Sequence, residues 1–256
     1  MSRVIVALSG GKASAYCAKW AFENYPKDDV ILYFNDTKWE HSDLYRFLSD
    51  LECYFDKKIH EDSDGRNPEE LFYDNHALAC NRMPFCSRIL KAERLHKFFE
   101  EGDVLVFGIG QEERHRAERI VQVYQKIAVK RGVFCKLVFP IIEENVYKHD
   151  VDAWLKSTGI EEPALYKMGF EHNNCSGGCV RAGKKHWGLL LYKLPEVYAD
   201  RERVETEFQA HFKKDVTILK DCSLRELRES IERKNEPFLP MSFEPVECVG
   251  ICESMS

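Results

Sequence analysis

The chain has 256 residues, of which 44% are hydrophobic, and a formal net charge of -6. This length allows a substantial core, in one large domain or in a domain with an appendage. The negative charge argues against general, charge-driven binding of nucleic acid, although it leaves room for a local basic groove. No apolar run approaches the ~20 residues that cross a membrane. A predicted strand begins almost at the N-terminus, so we expect a cytoplasmic protein without a signal peptide.

The N-terminal stretch predicts a strand, a tight loop and the start of a helix. An apolar run of strand length ends at Ser9-Gly10-Gly11, and helix-forming residues follow at once. Glycine lets a backbone turn sharply, and the first amides of a helix lack partners within it and carry a positive partial charge. The loop therefore suits a phosphate group, with hydroxyls from Ser9 and Ser14 and a charge from Lys12. The same tripeptide is also common as an ordinary strand-to-helix turn.

Further apolar runs alternate with helical patterns. Such alternation predicts an α/β fold with a mostly parallel sheet flanked by helices, whose ligands bind beyond the carboxyl ends of the strands. The second strand, at 30–34, precedes Asp36 and Thr37. We expect this pair to face the same crevice as Ser9, or alternatively to cap the next helix. Three more strands are predicted near 57–61, 104–110 and 134–139.

Arginines accompany two of the predicted elements. Arg88 lies in a cluster of basic and cysteine side chains, where its planar fork suits phosphate or sulfate. Gly108 lies near the end of the central strand, and the next segment carries Arg114 and Arg119 among glutamates. The pattern predicts binding of an anionic substrate, although it is also typical of a salt-bridged helix face.

The ten cysteines are expected to be reduced thiols or metal ligands, because we expect no secretion. Structural zinc and iron–sulfur clusters both use four such ligands, and spacing alone does not separate them. Three pairs are closely spaced in sequence: Cys80 and Cys86, Cys175 and Cys179, and Cys248 and Cys252.

The stretch from Ser9 to Ser14 lacks the glycine spacing of a Walker loop and of a dinucleotide-binding fold. It resembles instead the pyrophosphate-binding loop (PP-loop) of the adenine nucleotide alpha-hydrolase superfamily, with Ala13 where aspartate is usual. Later in the chain, Pro163-Ala164-Leu165-Tyr166 and Gly169-Phe170 precede a cysteine pair, as in the second half of the phosphoadenosine phosphosulfate (PAPS) reductase family. The resemblance covers roughly residues 3 to 180.

The resemblance implies a Rossmann-like α/β domain over residues 1–170 that binds ATP or another adenine nucleotide with Mg²⁺. A helical subdomain over residues 171–256 then carries a cysteine cluster. The residues that match the family's nucleotide and substrate segments are Ser9, Gly10, Gly11, Lys12, Ser14, Asp36, Thr37, Arg88, Gly108, Arg114 and Arg119.

The resemblance also implies a metal centre. Family members with a four-iron four-sulfur cluster hold it with cysteines from the segments that correspond to Cys86 and to Cys175 and Cys179. We therefore expect such a cluster here, with zinc as the alternative. Cys252 is assigned as the fourth ligand, and Cys80, Cys248 or a group from outside the chain remain open for that place.

The C-terminal tail resembles the Glu-Cys-Gly motif with which reductases of this family attack the sulfur of the nucleotide. Val249 interrupts the motif in this chain, and the histidine that usually follows is missing. Cys248 and Cys252 are therefore interpreted as metal ligands, as catalytic thiols or as a resolving disulfide pair, with idle thiols as the alternative.

Two reactions of an adenine nucleotide are consistent with the resemblance. In the favoured one, with Lys12 as a catalytic residue, ATP adenylates a nucleic-acid or small-molecule acceptor and sulfur displaces the adenylate; a cysteine desulfurase would be a partner. In the other, a sulfonucleotide reductase uses Cys248 or Cys252 together with a thioredoxin-like partner. A zinc-stabilised binding module is the competing class, and either enzyme could act as a homodimer.

Overall fold

The computed structural model describes residues 3–234 of the chain. No helix in this part is long and apolar enough to cross a membrane. The described residues form two compact units. The first contains the residues up to Asp36, Ser42–Ser63 and Ala92–Pro163, and the second contains Thr37–His41, Asp64–Lys91 and the residues from Ala164 onward. The second unit therefore includes two segments from the N-terminal half besides the C-terminal region.

The first unit is built on a five-stranded sheet whose strands are all parallel. The strands are β1 (Arg3–Leu8), β2 (Asp29–Asp36), β3 (Ile59–Ser63), β4 (Val104–Phe107) and β5 (Lys136–Val138). Their order in the sheet is β3-β2-β1-β4-β5. This architecture confirms the predicted α/β fold with a parallel sheet.

Residues 3–234 contain twelve α-helices. They are α1 (Lys12–Asn24), α2 (Ser42–Phe55), α3 (Pro68–Asp74), α4 (Phe85–Ser87), α5 (Glu93–Phe98), α6 (Arg114–Arg131), α7 (Pro140–Glu143), α8 (Lys148–Thr158), α9 (Ala164–Lys167), α10 (Lys184–Lys193), α11 (Pro195–Phe212) and α12 (Leu224–Lys234). A π-helical turn spans Arg88–Ala92, and short 3-10 turns span Gln111–Glu113 and Cys175–Gly177.

The central strand β1 is buried on both faces. Val4, Ile5 and Val6 have no exposed surface, and β1 pairs with β2 along its whole length and with β4 along most of it. Strands of this kind appear in a sequence as continuous apolar runs, which is why the pattern predicted them. Helix α1 packs against these strands with small buried side chains. The loop between β1 and α1 therefore starts from a rigid base.

Two strands are shorter than their apolar runs predict. β4 ends at Phe107 because the chain turns there, with the N–H of Ile109 donating to the carbonyl of Phe107 at 3.1 Å. β5 spans only three residues, since Pro140 starts α7 soon afterwards. A proline provides no N–H for a sheet and favours the first turn of a helix, so it stops the strand.

Part of the core of the second unit lies among α10, α11 and α12. Trp187 of α10 and Tyr198 of α11 are buried and meet edge to face, with ring centroids 5.9 Å apart. The buried carboxylate of Glu205 accepts the backbone N–H groups of Ile218 at 2.7 Å and of Leu224 at 2.6 Å. Buried polar groups are stable only when they are hydrogen-bonded. Glu205 therefore fixes the segment that leads into α12.

We expect Gly108→Ala to destabilise the first unit. A Cβ at this position would lie 2.7 Å from the backbone nitrogen of Ser14 and 2.8 Å from its Cα. Backbone atoms cannot turn aside as a flexible side chain can, and overpacking of this kind costs about 1–3 kcal/mol. Guanidinium denaturation measures the loss.

Gly183→Ser is the matched control. A Cβ at Gly183 meets nothing within 4 Å, and this glycine is the N-cap residue of α10, where serine is favoured. The control variant should keep or slightly exceed the wild-type stability. Wild-type stability of Gly108→Ala would contradict the close packing of the strand end on α1.

Candidate functional site

The loop between β1 and α1 is closed by the side chain of Ser14. Its hydroxyl donates to the carbonyl of Gly11 at 2.9 Å and accepts the N–H of Ser9 at 3.1 Å. Gly10 has a φ of +76°, and a Cβ there would lie 2.5 Å from Cδ1 of Leu44. Glycine is therefore required at position 10 both for conformation and for space.

Helix α1 begins without a side-chain cap. Its N-cap residue is Gly11, and its first turn contains no acidic residue. A helix N-terminus carries a positive partial charge, and its first amides lack partners within the helix. The predicted strand, glycine turn and helix start are thus present, and this arrangement suits an anion such as phosphate.

Lys12, the basic side chain of the loop, lies against two carboxylates. Its Nζ is 2.5 Å from Oδ1 of Asp152 and 3.0 Å from Oε2 of Glu162. Burial on its own lowers the pKa of Lys12, but hydrogen bonds and charges from the two carboxylates outweigh burial and raise that pKa above its ordinary value. Lys12 is therefore charged at neutral pH, and its charge is shared between two acids.

Asp36 is the last residue of β2 and Thr37 follows the strand, and each makes contacts within its own unit. Oδ1 of Asp36 accepts the hydroxyl of Tyr45 at 2.9 Å. Thr37 is buried, and its hydroxyl donates to Oε1 of Glu40 at 2.9 Å. A contact of either residue with a nucleotide stays a prediction.

The predicted arginines lie on two helical segments. Arg88 is half-buried in the π-helical turn, whereas Arg114 is exposed at the start of α6 and Arg119 is half-buried on the same helix. The guanidinium of Arg114 donates to Oε1 of Gln111 at 2.8 and 3.1 Å. Their role in anion binding remains a prediction.

Three of the predicted metal ligands line one pocket within the second unit. They are Cys86, Cys175 and Cys179, of which the last two are buried. The pocket has a volume of about 370 Å³ with its open mouth included. The fold thus brings together thiols that are far apart in sequence.

The thiols share this pocket without forming a finished coordination sphere. Residues 3–234 contain no group of three or more His, Cys, Asp or Glu side chains placed to hold a metal ion. Cys80 is not among the described residues that line the pocket, and it pairs with Met83 across a turn. Cys248 and Cys252 lie outside the described residues. A set of soft thiols fits zinc or iron–sulfur chemistry. Because the described residues contain no complete set of ligands, the assignment of the metal ligands stays a prediction.

The turn that carries Cys175 has an unusual backbone. Cys175, Ser176 and Gly177 have φ values of +48°, +54° and +81°. Residues other than glycine rarely adopt this left-handed conformation, so two in succession must be held by their surroundings. One such contact is the hydroxyl of Ser176, which donates to the carbonyl of Trp39 at 2.9 Å.

Glu40 is a second anchor of this turn, and its side chain is fully buried. Oε2 accepts the N–H of Cys175 at 2.7 Å, while Oε1 accepts the ammonium of Lys91 at 3.1 Å and the hydroxyl of Thr37. A buried carboxylate is tolerated only when it is paired and hydrogen-bonded. These three donors meet that need, and they connect the backbone of Cys175 to the wall of the pocket.

Arg201 and His186 lie behind the same turn. The guanidinium carbon of Arg201 is 3.6 Å from the ring centroid of Trp39, and a Cβ at Gly178 would lie 3.1 Å from its Nε. Burial lowers the pKa of Arg201, and a neighbouring carboxylate offsets part of that effect. A ring nitrogen of His186 lies 2.7 Å from the carbonyl of Gly177, and burial lowers the pKa of this histidine. A buried cation and a histidine that favours its neutral form therefore support the cysteine turn.

Four of these side chains are not predicted by the sequence patterns. Glu40 follows the end of β2 closely, and a polar residue beyond a parallel strand is a signal that could have found it. Asp152, Glu162 and Arg201 carry no local signal, because each meets its partner across a long stretch of sequence.

We expect Glu40→Ala to destabilise the second unit by about 3–5 kcal/mol, since removing one partner of a buried ion pair leaves a charge in a poor environment. The change removes the acceptor of the ammonium of Lys91 and of the N–H of Cys175. Denaturation followed by tryptophan fluorescence measures it, since Trp39 and Trp187 are both buried in this unit.

The matched control for this variant is Glu207→Ala. Glu207 pairs with Arg203 at 2.8 Å on the exposed side of α11, where an ion pair contributes about 0–1 kcal/mol. Similar losses of stability in the two variants would argue against Glu40 as an anchor of the cysteine turn.

Most of the chain matches a known protein family. A family model described as the phosphoadenosine phosphosulfate reductase domain matches residues 3–181. No curated protein sequence matches the chain. Among solved structures, the U34-tRNA thiolase NcsA from Methanococcus maripaludis with its 4Fe-4S cluster is similar over 90% of this chain and 73% of that chain. The sequence identity is 14% and the TM-score is 0.45, so this likeness carries no argument about chemistry.

The matched residues include the whole sheet, the PP-loop and the three cysteines of the pocket. They make up most of the 256 residues, and the family predicted from the motifs is thereby confirmed. The chain belongs to the phosphoadenosine phosphosulfate reductase domain family.

Proposed function

We propose that this protein is an enzyme that binds an adenine nucleotide on the loop from Ser9 to Ser14 and uses it in the transfer of sulfur to an acceptor. The observation that carries the proposal is the presence, in one member of this family, of a PP-loop geometry and a pocket lined by three thiols. The acceptor is a nucleic acid or a small molecule with an oxygen to be replaced.

The nucleotide half of the proposal is supported by the loop itself. The uncapped start of α1 offers positive partial charge, and the glycine turn lets phosphate oxygens approach the backbone. Lys12 adds a full charge near the same helix start. In the proposed reaction, Lys12 binds a phosphate oxygen and offsets the charge that develops on the departing pyrophosphate. Mg²⁺ would supply the same kind of charge when it is bound with the nucleotide.

The acceptor oxygen is a poor leaving group, so the proposed reaction first converts it into a good one. An acceptor oxygen attacks the alpha-phosphorus of ATP, and the bond between this phosphorus and pyrophosphate breaks. The acceptor is then an adenylate, from which AMP leaves readily. A sulfur nucleophile forms a carbon–sulfur bond as the carbon–oxygen bond to AMP breaks. A cysteine desulfurase is the class of partner that supplies the sulfur, as a persulfide whose outer sulfur attacks the adenylate. A dithiol then cleaves the sulfur–sulfur bond of the adduct, releases the thiolated acceptor and is itself oxidised to a disulfide.

The sulfur half is supported by the pocket. Cys86, Cys175 and Cys179 converge on one cavity in the second unit, and a buried cation lies behind the turn that carries Cys175. Thiolates in such surroundings bind soft metals, and a four-iron four-sulfur cluster held by them would supply iron for binding sulfur. The role of the chain's own residues is to hold the three thiols at one place and to shield them from water.

A second candidate is a sulfonucleotide reductase, which the description of the family favours. In that reaction a cysteine thiolate attacks the sulfate sulfur, and the sulfur–oxygen bond to the nucleotide breaks. A thioredoxin-like dithiol then releases sulfite and is itself oxidised to a disulfide. Cys248 and Cys252 are the cysteines proposed for the attack.

Calorimetric titration with ATP and with adenosine phosphosulfates tests the nucleotide site. Tighter binding of ATP is expected for adenylation, whereas tighter binding of a phosphosulfate would favour the reductase. Lys12→Ala should weaken binding of the preferred nucleotide by about 1.5–3 kcal/mol, because it removes a charged hydrogen bond to phosphate.

Lys19→Ala is the control for Lys12→Ala. Lys19 lies on the same helix and pairs with Glu23 on its exposed side, at 2.7 Å, so this variant should bind as the wild type does. Absence of adenine nucleotide binding in the wild-type protein would overturn the proposed function.

Anaerobic purification with metal analysis and a visible spectrum tests the thiol pocket. We expect brown protein with about four irons per chain, the content of a four-iron cluster. Cys175→Ser and Cys179→Ser should lose most of the iron, because each removes a thiolate ligand.

Cys222→Ser is the matched control, since Cys222 is a half-buried cysteine outside the described lining of the pocket. It should keep the iron content of the wild type. Colourless protein with one zinc per chain would favour the zinc-stabilised module and contradict the cluster.

A further inference from the structure

We propose that Asp152 and Glu162 are positioning residues that hold the ammonium of Lys12 and compete with nucleotide phosphates for it, and so set the affinity of the loop. This inference rests on the proposed nucleotide binding, because it concerns what the phosphates meet at the loop. It adds two carboxylates to the site that neither the sequence motif nor the family match assigns.

The ammonium of Lys12 is largely buried beside two partly exposed carboxylates. Its side chain is 12% exposed, and its Nζ lies 2.5 Å from Oδ1 of Asp152 and 3.0 Å from Oε2 of Glu162. One ammonium between two carboxylates leaves a net charge of about -1 beside the start of α1. A phosphate that approaches Lys12 therefore meets repulsion from the acids as well as attraction from the amine.

Asp152 is held in place by the packing of α8 on α1. Val151 and Leu155, on either side of it in α8, are buried. Trp154 of α8 meets Tyr16 of α1 edge to face, with ring centroids 5.6 Å apart. Because the helix that carries Asp152 is fixed against the helix that carries Lys12, this ion pair is built into the fold of the first unit.

The backbone of Glu162 is held by hydrogen bonds from Arg46. The guanidinium of Arg46 in α2 donates to the carbonyl of Glu161 at 3.1 Å and to the carbonyl of Glu162 at 3.3 Å. Arg46 is itself paired with Asp43 and Asp50. The backbone that presents the carboxylate is thus anchored, so the two acids reach Lys12 from two independently fixed segments.

The start of α1 lacks acidic residues of its own. Its first turn contains none, and Ala13 stands where the loops that this one resembles usually have an aspartate. The two carboxylates that pair with Lys12 at this helix start belong to Asp152 and Glu162, which the fold brings in from far along the chain. Neutralising them should free Lys12 for phosphate.

The first test is ATP affinity by calorimetry at fixed ionic strength. Asp152→Asn and Glu162→Gln should each tighten binding about threefold, and the double variant about tenfold, as expected for partly exposed ion pairs. Glu23→Gln is the matched control, because it neutralises a carboxylate on α1 that pairs with Lys19 instead. Unchanged or weaker binding in the double variant would overturn the proposal.

The second test needs no nucleotide. The carboxylates raise the pKa of Lys12, so they suppress the neutral amine that reacts with an N-hydroxysuccinimide ester. Peptide mass spectrometry should show faster acylation of Lys12 in the double variant and a wild-type rate in Glu23→Gln. An unchanged rate would show that the acids do not hold Lys12. If wild-type protein binds no adenine nucleotide, the proposed function fails, and this rate still decides whether the acids hold Lys12.

Discussion

The packing of the end of β4 on the first turn of α1 is the constraint on which the loop between β1 and α1 depends. Gly108 leaves no room for a Cβ beside the backbone of Ser14, and the hydroxyl of Ser14 in turn closes the loop on Ser9 and Gly11. Backbone meets backbone at this place, so the loop cannot adjust without moving the central strands. The start of α1 is consequently fixed at the carboxyl end of the sheet, where parallel folds bind their ligands.

In the second unit, a buried carboxylate stabilises a turn with an unfavourable backbone conformation. The cysteine turn contains two residues other than glycine in a left-handed conformation, which is unfavourable in isolation. Glu40 offsets this by accepting the N–H of Cys175, and it is itself satisfied by Lys91 and Thr37. Thr37 and Lys91 also line the thiol pocket, so the stability of the turn and the shape of the pocket depend on the same carboxylate.

Charge is distributed unevenly around the two candidate sites. A buried guanidinium and an ammonium lie near the cysteine turn, where thiolates would carry negative charge. Around Lys12 the balance is reversed, because two acids face one amine. This difference matters for function, since an anion gains affinity from a site whose positive groups are available and loses it where they are already paired.

The sequence by itself determined the parallel α/β architecture, the PP-loop and the family. These conclusions depend on features that can be read directly from the sequence. They are the continuous apolar runs, the turn at Ser9-Gly10-Gly11 and the order of the motifs. The sequence also singled out Cys86, Cys175 and Cys179 as related thiols, and the fold brings these three to one pocket.

Only the tertiary structure decided which charges meet. Asp152 and Glu162 lie about 140 to 150 residues beyond Lys12 along the chain, and Glu40 lies 135 residues before Cys175. No periodicity or spacing rule relates residues at such separations, because their proximity follows from how helices and strands pack and not from the residues between them. The motif therefore identified the loop, and the packing determined the electrostatic surroundings in which the loop works.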